Sequence, residues 1–475
     1  MDYLYSVNFS SVIREQFPFE PTAGQQVLID KLSAFVLHPD NERVFVLKGY
    51  AGTGKTTIVS ALVKSLPAVR WKFVLLAPTG RAAKVLASYS GCPAYTIHKK
   101  IYRPKTDSEG GGFFQLQANV HKNTIFIVDE ASMIGESGND ANLFPHSLLQ
   151  DLFEYVYTGE NCKLLLIGDS AQLPPVGMSQ SPALDVTYLK ATYGHEIEHV
   201  ELKEVMRQVL DSGVLLNATK LRVNIAEGMN AQPKFELDDY PDLIRLPGTD
   251  LLDTLERSYR EYGAEDTIII VRSNKRANIY NQQIRSRILW REDEISAGDQ
   301  LMIVKNNYFW LPKESKAGFI ANGDAAVIKR ISKFREMHGF RFADVTLELP
   351  DYPDEPELDT RILLDTLHTE APALTREQAN QLFESVHADY ENIPNKRQRY
   401  LEMKKDPFFN ALQVKFGYAV TCHKAQGGQW KSVFVEQGYL TQEMINTEYL
   451  RWLYTALTRT QDKLYLVGFN ESFFE

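Results

Sequence analysis

The sequence predicts an α/β protein with two doubly wound parallel sheets, the second interrupted by a β-rich insertion. Short apolar runs recur at Val44-Phe45-Val46-Leu47, Phe73-Val74-Leu75-Leu76, Ile125-Phe126-Ile127-Val128 and Leu164-Leu165-Leu166-Ile167, with helical patterns between most of them. Continuous apolar runs alternating with helices are what strands buried on both faces of a parallel sheet require. A second set of such runs starts at Thr267-Ile268-Ile269-Ile270-Val271. It resumes only at Ser432-Val433-Phe434-Val435 and Lys463-Leu464-Tyr465-Leu466-Val467. The chain has 475 residues, 44% of them hydrophobic, enough for about three domains of roughly 150 residues.

Taken in order, residues 1–201 form the first α/β unit, with a small insertion at about 102–123 whose Gly110-Gly111-Gly112 reads as a hairpin. Residues 202–298 open the second unit and 412–475 complete it. Between them, 299–411 begins with the β-type runs Gln300-Leu301-Met302-Ile303-Val304 and Ala325-Ala326-Val327-Ile328, separated by an Asn322-Gly323-Asp324 turn signal. An acidic stretch, Pro350 to Asp359, and a polar helical run, Thr375 to Lys405, follow; the insertion reads as a small β-barrel with a helical excursion.

Net charge is −9, so any nucleic-acid channel has to be locally basic on an acidic body. Cys92, Cys162 and Cys422 lie far apart and form no metal-spaced cluster, and His98, His121 and His423 form no zinc set; the chemistry is that of a reduced, intracellular protein, cytoplasmic if bacterial. The N-terminus shows no secretory pattern, and no apolar stretch approaches the ~20 residues of a membrane helix.

The strongest motif is Gly49-Tyr50-Ala51-Gly52-Thr53-Gly54-Lys55-Thr56, a complete G-x-x-x-x-G-K-[ST] after a strand and opening a helix. Its glycines let backbone N–H groups close around phosphates, with Lys55 reaching the outer phosphates and Thr56, followed by Thr57, placed for Mg²⁺ and nucleotide. Ile125-Phe126-Ile127-Val128 ends in Asp129 and Glu130, where ligands bind in open α/β sheets; Asp129 is the expected Mg²⁺ partner and Glu130 the group that polarises the attacking water. After the next strand comes Gly168-Asp169-Ser170-Ala171-Gln172-Leu173-Pro174-Pro175, where Gln172 is positioned to sense the γ-phosphate. Arg207 and Arg459 are the candidates for stabilising charge on it; since Arg459 comes from the second unit, the nucleotide then sits in a cleft between the two.

The order of these segments resembles superfamily 1 DNA helicases, specifically the RecD/Dda-like branch, superfamily 1B. Thr22-Ala23-Gly24-Gln25 is similar to the Q motif, with Gln25 reading adenine. Leu76 to Ala83 resembles motif Ia, Tyr95-Thr96-Ile97-His98 motif Ib, Asp129 to Met133 motif II, and Gly168 to Pro175 motif III. Arg207 falls in a motif IV-like segment, Thr421 to Gly427 looks like motif V, with Gly428 beside it expected at the nucleotide, and Tyr454 to Arg459 looks like motif VI. The resemblance spans about Thr22 to Val467. It implies two RecA-like P-loop NTPase domains, an inserted hairpin wedge and an inserted SH3-like β-barrel. It also implies ATP and Mg²⁺ as cofactors, single-stranded DNA and duplex with a 5′ overhang as partners, and 5′-to-3′ movement; no coiled coil or assembly segment is visible in the sequence, so a monomeric motor is expected. By the same resemblance, Pro78, Thr79, Arg81, Thr96 and His98 grip DNA from the first domain, and Ser273, Asn274, Thr421, His423 and Lys424 from the second. Phe113, with Phe114, is the candidate pin that splits the duplex. Two rival readings are a P-loop kinase, which leaves Arg459 unexplained, and an ATP-gated DNA-binding module or motor subunit of a nuclease complex, which leaves Glu130 without a task.

Overall fold

A computed structural model describes residues 2–106, 112–136, 146–205, 212–237, 240–312, 315 and 319–474. The first sheet is built from β1 (Arg43–Gly49), β2 (Lys72–Ala77) and β3 (Ala94–Thr96). After a two-stranded antiparallel hairpin, β4 (Tyr102–Thr106) with β5 (Gly112–Leu116), it continues with β6 (Lys122–Val128), β7 (Glu160–Gly168) and β8 (Glu196–Leu202). Its order is β3-β2-β6-β7-β1-β8, and all its pairings are parallel. The second sheet starts with β9 (Leu243–Leu246) and β10 (Thr267–Val271). The chain then leaves it for a closed barrel of β11 (Gln300–Ile303), β12 (Ala325–Met337), β13 (Phe340–Glu348), β14 (Leu358–Leu363) and β15 (Leu412–Phe416). It returns with β16 (Ala419–Thr421), β17 (Trp430–Glu436) and β18 (Thr460–Val467), giving the parallel order β16-β10-β17-β18-β9.

Continuous apolar strands are explained by two-sided burial. Along β1, Val44 and Val46 face one core with Leu149 and Leu152, while Phe45 and Leu47 face the other with Leu28 and Ile58. Residues of period two thus serve two layers of helices, and a charge at any of these positions would be stranded in one core or the other. The helical excursion, Arg376–Ala388 and Lys396–Met403, packs Leu382, Val386 and Met403 onto Phe340, Phe342 and Leu363 of the barrel.

Two details depart from the sequence reading. The last barrel strand, Leu412–Phe416, lies past the expected limit at 411, because its five residues are buried on all sides and resemble a sheet strand in composition. The edge strand β9 was not anticipated; Leu243-Ile244-Arg245-Leu246 is short and interrupted by a charge. No helix among the described residues is long and apolar enough to cross a membrane.

Candidate nucleotide cleft and nucleic-acid interface

β1 ends at Gly49 and the helix Lys55–Ser65 begins after five intervening residues. The loop between them is held tightly: Gly52 and Gly54 have φ of 73° and 83°, and a Cβ at Gly49 would sit 2.9 Å from both Thr53 Oγ1 and Lys55 Cγ. Only glycine fits these positions without strain. Lys55 Nζ donates to the carbonyls of Gly49 (2.6 Å) and Tyr50 (2.9 Å), and Thr53 Oγ1 donates to Tyr50 O. Gln25 is buried beneath the loop. Its Nε2 donates to Thr53 O at 3.0 Å, while its Oε1 accepts the Thr22 N–H, closing a capping box on the helix Ala23–Leu37. Thr-x-x-Gln is a capping-box signal that the adenine reading of Gln25 passed over.

The acids lie beside this loop. Glu130 N donates to Asp129 Oδ1 at 2.9 Å, and burial together with the Glu130 charge pushes the Asp129 carboxyl up to about 6. Glu130 itself has φ 52°, a left-handed backbone that costs a non-glycine of order 1–3 kcal/mol and is tolerated where the surroundings enforce it. Across the interface stands Arg459, 3% exposed, with Nη1 3.8 Å from Glu130 Oε1. The guanidinium is held by the carbonyls of Thr455 (3.0 Å) and Gly428 (3.4 Å) and by Thr458 Oγ1 (3.1 Å). Gly428 therefore supports the arginine, and a Cβ there would lie 2.5 Å from the Trp430 ring.

Sequence reasoning missed how firmly the helix Thr447–Leu457 of the second sheet grips the loop after β7. Tyr454, fully buried, donates its hydroxyl to Asp169 Oδ2 (2.6 Å) and accepts the N–H of Ala51 in the phosphate loop (2.9 Å). Leu173 N donates to Thr455 Oγ1, Gln426 Nε2 donates to Leu173 O, and Arg451 Nη1 donates to the Gln172 carbonyl. Gln172 is 5% exposed. The only advance signal was the polar edge of an otherwise apolar helix.

The donor chemistry suits a magnesium nucleotide. The glycine-lined loop is a cradle that a Cβ would fill, and two adjacent carboxyls, one with its proton affinity raised, favour a hard cation. Asp129 and Thr56 are the oxygen donors at hand.

A second cleft, about 780 Å³, runs between the sheets and the barrel. It is lined by Pro78, Thr79, Arg81, Thr96 and His98 from the first sheet and by Ser273, Asn274, Thr421, His423 and Lys424 from the second. The placement has a simple cause. Each residue lies at or just past the C-terminal end of a strand, β2 and β3 in one sheet and the adjacent pair β10 and β16 in the other. Thr79 caps the helix Gly80–Ser90, accepting Ala82 N–H, and Ser273 caps Asn274–Gln283, accepting Arg276 N–H. Both helices therefore start at the cleft with their positive ends. Thr96 likewise accepts Lys99 N–H.

Individual side chains are less uniform than their motifs. Arg81 stacks on Trp430 at 4.1 Å, joining the two sheets. His98 lies against Tyr102 and Phe319, and burial lowers it to about 4, so it is neutral. The Lys424 ammonium is buried and has no hydrogen-bond partner among the described residues; burial lowers it to about 8. The barrel closes one end of the cleft: a Cβ at Gly80 would lie 2.6 Å from both Asp324 Oδ1 and Tyr352 Oη, and Lys84 Nζ donates to Pro350 O. Arg207 and the side chains of Phe113 and Phe114 lie outside the described residues.

The comparisons follow this division. The AAA domain family matches residues 23–234, covering the first sheet, and the UvrD-like helicase C-terminal domain family matches 416–467, within the second. The chain is 23% identical to the ATP-dependent RecD2 DNA helicase of Deinococcus radiodurans over 94% of its own length and 50% of that protein. It is 32% identical to the ATP-dependent DNA helicase dda of Enterobacteria phage T4 over 34% of each chain. It thus spans about half of the first relative and a third of the second. A solved Pif1 helicase from Bacteroides, in complex with ADP-AlF3 and single-stranded DNA, aligns at 14% identity over 95% of this chain and 93% of that one, with a TM-score of 0.46. An AAA domain model and a UvrD-like helicase C-terminal model thus match in order on the two sheets, and with the RecD2 and dda relatives they support a superfamily 1B helicase.

Proposed function

We propose that the chain hydrolyses ATP to move 5′-to-3′ along single-stranded DNA and to unwind duplex ahead of it, as a two-grip motor. The observation that carries this reading is Arg459, brought by the second sheet to 3.8 Å from Glu130 on the first, along the interface that continues into the 780 Å³ cleft. A nucleotide held by Lys55 and the loop from Gly49 to Gly54 meets that guanidinium only when the sheets are together, so hydrolysis reports on their separation. Glu130 orients and deprotonates the attacking water, and Arg459 offsets charge on the transferred phosphoryl group. Mg²⁺, when bound by Asp129 and Thr56, supplies neutralisation of the phosphate charge.

The mechanical half follows from the matched junctions. Thr79 and Thr96 hold one stretch of backbone and Ser273 and Thr421 the next, all through groups that ignore base identity. Motion of one sheet against the other advances one grip while the other holds. The hairpin β4–β5, whose first residue Tyr102 lines the cleft, is the strand separator in this proposal. Strand displacement with 5′-overhang, 3′-overhang and blunt duplexes tests this. Activity on the 5′ overhang alone, lost in Lys55→Ala, is expected; equal activity on both overhangs, or ATP consumption indifferent to DNA, would refute it.

A further inference from the structure

At the hairpin root, three polar side chains form a chain that none of the helicase motifs contains. Tyr102, first residue of β4, donates its hydroxyl to Asp151 Oδ2 at 2.6 Å, and His146 Nδ1 lies 3.0 Å from Asp151 Oδ1. Asp151 is 2% exposed on the helix Leu148–Tyr157, whereas His146 is 44% exposed and, with Tyr102, lines the 780 Å³ cleft. A buried carboxylate needs partners for both oxygens, and these two groups supply them. Glu154 brings a third possible metal-ligating atom within 4.8 Å, but Asp151's two oxygens already have a hydroxyl and an imidazole, which makes the group a hydrogen-bond relay.

Resting on the reading above, we propose that His146 contacts the DNA backbone and that Asp151 and Tyr102 transmit this contact to the root of the hairpin, making them positioning residues for strand separation. The bond at Nδ1 fixes the ring and directs Nε2 away from Asp151. In the imidazolium form both nitrogens donate, one to the carboxylate and the other to a phosphodiester oxygen. A strand in the cleft thereby stiffens the link to Tyr102, and the hairpin is held in place when there is DNA to divide.

The test compares wild type with His146→Asn, which keeps a donor toward Asp151 but lacks Nε2, and Tyr102→Phe, which keeps the ring and removes only the hydroxyl. His146→Asn should lower the slope of log Kd for an oligothymidylate against log salt by about 0.7, one phosphate contact on a single strand. Tyr102→Phe should lower displaced strand per ATP about fivefold, with a wild-type far-ultraviolet circular-dichroism spectrum certifying folding. Losses in the double variant should be less than the product of the single losses, as for members of one relay. A wild-type salt slope in His146→Asn, or wild-type displacement per ATP in Tyr102→Phe, overturns the inference. Failure of the wild-type chain to displace any strand would instead count against the helicase reading, with the salt slope still deciding whether His146 touches the backbone.

Discussion

The two sheets of this chain share one architectural device and use it for different ends. In both, adjacent parallel strands finish at the same cleft and the chain turns at once into a helix. After β10 the turn is closed by a side chain, since Ser273 Oγ accepts the Arg276 N–H. After β1 the helix Lys55–Ser65 begins at Gly54, in a left-handed backbone and with no side chain capping it, so the amides of its first turn are left uncapped toward the front of the loop. The first sheet can therefore hold phosphates through its main chain, and the second can only lend side chains to the site, chiefly Arg459. Under the proposed function, catalysis is divided between a lobe that binds and a lobe that senses.

This contrast is sharpest in a paired experiment. Lys55→Ala should abolish DNA-stimulated ATPase by removing nucleotide grip, whereas Arg459→Ala should lower kcat about 10³-fold while nucleotide still binds. Fluorescent-nucleotide titration beside steady-state turnover separates the two; equal loss of nucleotide binding in both would erase the division of labour. Next in size is Tyr454→Phe, which strips one hydrogen bond from Asp169 and another from the phosphate loop. It should cost about 2 kcal/mol, read as a fall in Tm, together with a loss of turnover. Lys424 gives a smaller effect with a definite sign. Burial sets it at about 8, and phosphate binding favours its charged form, so its contribution is full below pH 8 and fades above it. Affinity for single strands should weaken between pH 7 and 9 in wild type and stay flat in Lys424→Arg. The smallest effects compare the grips themselves: Thr79→Ala and Ser273→Ala each remove a helix cap worth about 1 kcal/mol, and should weaken DNA binding by similar factors if the two grips are equivalent.

How legible the molecule was in its sequence depended on range. The strand runs around Phe45, Ile127 and Ile269, and the loop from Gly49 to Thr56, are local patterns, and local patterns translate directly into elements. The residues named at the strand ends, Pro78 to His98 and Ser273 to Lys424, line one cleft, since strand ends in a parallel sheet share one edge. Contacts between distant segments are not legible in this way. Arg81 reads as a free cation beside motif Ia until Trp430, about 350 residues on, is folded against it. Gln25 reads as a base-reading amide, yet both ends of that amide are engaged with Thr22 and Thr53. Tyr454 gave no warning that its hydroxyl joins two loops of the opposite sheet. The barrel's closing strand was assigned to its neighbour because buried strands of both look alike in composition.

The bare backbone at Gly80 has a mechanical consequence. Asp324 and Tyr352 of the barrel rest against Gly80, a position with no side chain, so at that point barrel and first sheet meet without a cushion between them. The aperture is thus set like a fixed jaw, by rigid parts in direct touch. A strand threading it, as proposed above, is gauged there by thickness rather than by letter.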